Sequence, residues 1–174
     1  MEKSNWKTLR PKFKTEELPV VEALEQLINA SFEAELMIRS CLRQRDVKIE
    51  VVRTYKDKTG KSYQKAQKAA IEADYLTERA TAFRQMKIEL WSEVARLYGL
   101  YSGDPVKGVI VAYWLIKNKS VDDIVVYAKR DRTFVESTLK GLKVLFEKLT
   151  YCRELIPERY EKLLRKSSSN SDKQ

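Results

Sequence analysis

From Ser62 to Tyr98 the chain runs for 37 residues without a glycine or a proline. Within that run Ala66, Ala69, Ala73, Leu76, Ala80, Phe83, Leu90, Val94 and Leu97 recur at spacings of three and four, broken only at Lys87. Such a repeat has the period of a helix face, and it is far longer than any strand. It therefore demands a long helix over 62–98 that packs along most of its length against another helix. Two partners satisfy it: a helix over 17–44, folded back as an antiparallel hairpin, or the same helix in a second copy, giving a homodimer.

The rest of the chain agrees with an all-α fold. It holds only 5 Gly and 4 Pro in 174 residues, too few for the many turns of a β protein. Leu24, Leu27, Ile28, Phe32 and Leu36 make the apolar stripe of the 17–44 helix, with Thr15 as its cap and Pro19 in its first turn. Five Glu against one Arg between Glu17 and Leu42 give this helix an acidic face, either a partner surface or a solvated flank.

Residues 43–68 reverse the sign, with nine basic and three acidic residues. Val47, Ile49 and Val51 alternate there, so a short strand or an extended basic loop is expected between the two helices. Gly99 is expected to cap the long helix, and Gly103–Asp104–Pro105 to turn the chain into a new one. Val106, Val109, Ile110, Tyr113, Trp114 and Ile116 then give a strongly apolar helix, with Tyr113 and Trp114 read as core.

Ser120 to Leu142 carries the most informative spacing. Ser120 can cap a short helix, with Asp123 three residues on. Lys129–Arg130 makes a turn, and Asp131 can cap a second helix. Ile124, Ala128, Val135 and Leu139 fall at the inward positions of a helix-turn-helix. The second helix continues to about Thr150, and Gly141 within it marks a bend or a close approach.

This pattern resembles the helix-turn-helix of sigma-factor region 4 and of the RinA/ArpU-like phage late-transcription regulators. The resemblance rests on Ile124, Ala128, Asp131, Val135 and Leu139, and it covers residues 104–150, roughly a quarter of the chain. Lys129 stands where that family usually has Gly, and Asp131 where it has a capping Ser. It implies a phage-encoded transcription regulator acting in the cytoplasm of a bacterial host, with double-stranded DNA and RNA polymerase as partners.

Four segments are expected: a basic arm over 1–16, a helical hairpin over 17–99, a helix-turn-helix domain over 104–166 and a disordered tail over 167–174. Arg132, Thr133, Glu136, Ser137 and Lys140 should face outward from the second helix, where base edges are read. Lys129, Arg130 and Lys143 should grip the phosphate backbone. The net charge of +9 suits a polyanion.

The absence of histidine removes the commonest general base and metal ligand, and Cys41 and Cys152 are too few for a structural zinc site. Neither a catalytic residue, a metal nor a cofactor is expected, and Asp122–Asp123 reads as first-turn acid rather than a metal pair. No apolar run is long enough to span a membrane. Two other readings fit the same residues: a helical protein-interaction module that inhibits a nucleic-acid enzyme, and a DNA-packaging adaptor that oligomerises through its helices.

Overall fold

A computed structural model of the chain describes residues 19–150; the expected basic arm, the 151–166 end of the expected helix-turn-helix domain and the polar tail lie outside them. Within the described residues the protein is all-α, with helices α1 (Val20–Tyr55), α2 (Lys61–Ser102), α3 (Pro105–Leu115), α4 (Val121–Ala128) and α5 (Arg132–Leu149). The chain forms two compact units. One is residues 31–88; the other joins residues 19–30 to 89–150. The chain reversal at 103–104 therefore separates two helices but not two units.

The 31–88 unit is an antiparallel hairpin. Ile38 and Cys41 of α1 form one buried cluster with Leu76, Ala80 and Phe83 of α2, and Met37, Leu42 and Met86 pack around it. The apolar stripe of the long helix is thus filled from within the chain. Polar pairs fix the register. Lys87 Nζ donates to Glu35 Oε2 at 2.8 Å, Lys48 pairs with Glu72, and Lys65 Nζ sits 4.7 Å over the Tyr55 ring. All three pairs are symmetric about the turn at Gly60.

The Glu35 carboxyl is pushed up by burial. Hydrogen bonds from Lys87 and Arg39 outweigh that effect and hold it below its ordinary value.

The expected strand or basic loop at 43–55 is instead the second half of α1. Val47 points to solvent, while Ile49, Val51 and Val52 are half-buried. The β-branched residues are accommodated because Lys48 and Tyr55 continue the contacts with α2; tertiary packing overrides a weak strand preference. The connection shrinks to residues 56–60, where Gly60 adopts φ +61°.

In the other unit α2 does not stop at Gly99. It runs on to Ser102 and ends at Gly103, φ +71°. Gly103 N–H bonds to the Leu100 carbonyl (3.2 Å) and Asp104 N–H to the Gly99 carbonyl (3.1 Å). This paired closure satisfies the Gly99 and Leu100 carbonyls at the helix end. Asp104 then caps α3, accepting from Val106 N at 3.0 Å, with Pro105 in the first turn.

Gly99 serves a different purpose: α2 and α3 meet there. A methyl group on Gly108 would stand 2.7 Å from the Ala95 carbonyl oxygen and 3.4 Å from Gly99 Cα. Only glycine permits that approach.

Candidate nucleic-acid interface

Three helices meet pairwise to make the site: α3 with α4, α3 with α5, and α4 with α5. Their shared core is Ile110, Val111 and Trp114 of α3, Ile124 of α4, and Val135, Leu139 and Leu142 of α5. Of the four inward positions expected of the helix-turn-helix, Ile124, Val135 and Leu139 are completely buried and Ala128 is half-buried. Trp114 is core as expected. Tyr113 is half-buried and stacks on Tyr127, ring centroids 5.0 Å apart and planes 11° apart.

The turn is built by its own residues. Ser120 Oγ accepts from Asp123 N at 3.2 Å and starts α4. Lys129 ends it in the left-handed conformation, φ 51°, ψ 45°. Two residues later Asp131 Oδ1 accepts from Phe134 N at 2.7 Å and starts α5. One left-handed residue followed by an extended cap lets α5 leave the line of α4. The position where the resembled family has Gly is the one that needs a positive φ.

At 100° per residue α5 has three exposed sectors. Directly opposite its buried face lie Thr133, Ser137 and Lys140, with Val144 one turn further; all but the half-buried Lys140 are exposed. One flank carries Arg132, Glu136, Lys143 and Glu147, and it is paired within itself. Arg132 binds Glu136 at 2.9 Å and also Asp122 of α4, while Lys143 binds Glu147 at 3.0 Å. The hydrogen bond to Glu136, followed by the charge of Asp122, raises the Arg132 pKa further. The expected Asp122 role as a first-turn acid is thus joined by a second one, holding Arg132.

The third sector is the flank with Phe134. Arg130 Cζ lies 5.7 Å from the ring centroid and Lys107 Nζ, from α3, 5.8 Å from the same centroid.

Of the expected contact residues, all eight lie outside the buried face of α5 and its preceding turn. They do not form one continuous cationic surface. Arg132 and Lys143 are neutralised by carboxylates, so the expected contact cations without an ion pair among the described residues are Lys129, Arg130 and Lys140. Sequence spacing passes over Lys107. Its nearness to α5 depends on how α3 packs, and no local pattern encodes that.

Gly141 proves to be a close approach. Its missing side chain makes room for Tyr98 of α2, whose hydroxyl would lie 2.8 Å from a methyl there and donates to the Thr138 carbonyl at 3.3 Å. Burial, and secondarily Tyr101, push the Tyr98 phenol above its ordinary pKa. Trp91 and Phe146 add a tilted ring contact of 5.5 Å between the same two helices. At the far end of α5, Asn29 Nδ2 of α1 donates to the Leu149 carbonyl at 3.1 Å. The candidate reading helix is therefore braced at its middle and at its end.

Among the described residues no group of three or more His, Cys, Asp or Glu side chains could hold a metal ion, and no helix is long and apolar enough to cross a membrane. Comparisons with protein-family models, curated proteins and solved structures returned no match.

Proposed function

We propose that the protein is a DNA-binding transcription regulator that lays α5 in the major groove of duplex DNA. The observation that carries this reading is the turn between α4 and α5. A left-handed Lys129 and a capping Asp131 turn α5 out of the line of α4, and on the face opposite its buried one Thr133 and Ser137 are exposed and Lys140 half-buried. Thr133 and Ser137 are short hydroxyl donors and acceptors suited to base edges, and Lys140 suits guanine or phosphate. The resemblance to phage late regulators supports the same reading, with RNA polymerase as a second partner.

The roles of Arg132 and Glu136 narrow in consequence. Arg132 reaches DNA only by exchanging a carboxylate for a phosphate or a base, so it adds less than an unpaired arginine would.

The test is binding of the full chain to a fluorescent random-sequence duplex, followed by selection of preferred sites from a random pool. Binding that weakens steeply with salt is expected, together with enrichment of a short sequence. Lys140→Ala should lower affinity and shift or blur the enriched sequence. No duplex binding at low salt would overturn the reading.

A second reading is a helical protein-interaction module, and one specific observation favours it. Val126 is 72% and Tyr127 51% exposed on α4, and Leu100 and Val109 are also open to solvent on α2 and α3. That reading expects a stable protein complex and no duplex shift.

A further inference from the structure

We propose that Lys107 of α3 and Arg130 of the turn, both drawn to the ring of Phe134, form a clamp for one backbone phosphate of duplex DNA. This inference rests on the DNA-binding reading above and says where the protein grips the strand.

Phe134 is the third residue of α5, half-buried, with its N–H taken by the Asp131 cap. An aromatic face attracts cations. Here two approach one ring, at 5.7 and 5.8 Å, from two different elements. Two cations gathered at one ring concentrate positive charge there, which a nearby carboxylate would ordinarily offset. Among the described residues neither cation has one: no ion pair engages Lys107 or Arg130. The acids nearest in sequence, Asp104 to Lys107 and Asp131 to Arg130, cap α3 and α5. The ring thus positions two positive charges and leaves their neutralisation to an external anion.

The opposite flank of α5 shows the contrast. There Arg132 has two carboxylates of its own. An approaching strand finds a neutralised edge on that side and an unneutralised one beside Phe134, with Lys129 exposed next to it. A phosphate held between Lys107 and Arg130 would fix the rotation of α5 in the groove. Such a contact sets register without reading sequence. It also makes α3, which sequence spacing treats only as support, part of the binding surface.

The experiment measures duplex affinity of the full chain across a salt series, using two duplexes of unrelated sequence. Lys107→Gln should weaken binding to both about equally. It should also reduce the slope of log affinity against log salt by about one, the signature of one lost phosphate contact. Arg130→Gln should do the same. Lys107→Arg should restore the slope, which separates charge from packing. Lys117→Gln, just past the C-terminal end of α3, should leave it unchanged. If the wild type binds duplex and Lys107→Gln keeps the full slope, the clamp is wrong although the DNA reading stands. If Lys107→Arg fails to restore a lost slope, the role is packing and the clamp is likewise overturned. If the wild type binds no duplex, the reading beneath the clamp falls with it.

Discussion

Lys129 is the residue at which the site is most strained. Its φ of 51° places a side-chain-bearing residue in the left-handed region, at a cost of about 1–2 kcal/mol relative to the right-handed one. Glycine would avoid that cost but lose more backbone freedom on folding. The balance favours Lys129→Gly as a stabilising change of about 0.5–1 kcal/mol, read as a higher denaturant midpoint at an unchanged slope. A lower midpoint would mean that the lysine stem contributes packing that outweighs the strain. Keeping a cation at this position despite the strain fits a residue selected for its charge beside the Phe134 flank.

Among the elements, α5 depends on α2 for its seat, and the Tyr98 phenol under Gly141 is the contact that can be titrated. Removing the hydroxyl with Tyr98→Phe should cost about 1 kcal/mol at neutral pH, the usual net value of one hydrogen bond. Because burial raises the Tyr98 pKa in the folded state, its stabilisation is complete below pH 10 and is lost as pH rises through the raised value. The gap between wild type and Tyr98→Phe, followed by chemical denaturation, should therefore close above about pH 10. A gap that stays constant would mean the phenol is not sealed in.

This element also shows what a sequence can and cannot tell. The α5 face was legible because Val135 and Leu139 keep one period, and the capping roles of Ser120 and Asp131 because they act on residues three away. Gly99 misled: a glycine after an apolar run usually ends a helix, but here close packing on Gly108 is its purpose, and the helix runs three residues further. The 43–55 segment misled for a related reason. Alternating Val47, Ile49 and Val51 is a local pattern, while the contacts that make it helical lie some ten to twenty-five residues away at Lys65 and Glu72. The neutralisation of Arg132 by Asp122 and the Lys107–Phe134 contact were hidden likewise, since each joins two helices. Ion pairs on one helix, such as Arg132–Glu136, follow from i, i+4 spacing alone.

At the scale of the whole molecule, the two ends of α2 are joined to their neighbouring helices by different means. Between α2 and α3 the backbone closes on itself through Gly103 and Asp104, which take up the Leu100 and Gly99 carbonyls and the Val106 N–H. Between α1 and α2 it crosses five exposed residues, Lys56 to Gly60, tied mainly by single backbone bonds at each end. Within residues 19–150, trypsin should therefore make its first cut after Lys56 or Lys58. Time-resolved mass spectrometry of the digest would show it, and early cleavage after Lys117 or Lys119 instead would contradict it. A chain nicked at that tip keeps Ile38 and Cys41 locked against Leu76 and Phe83. The two fragments should then co-elute as one species until denaturant is added, so the hairpin tip is also a natural place to open the polypeptide for an inserted label or a relocated terminus.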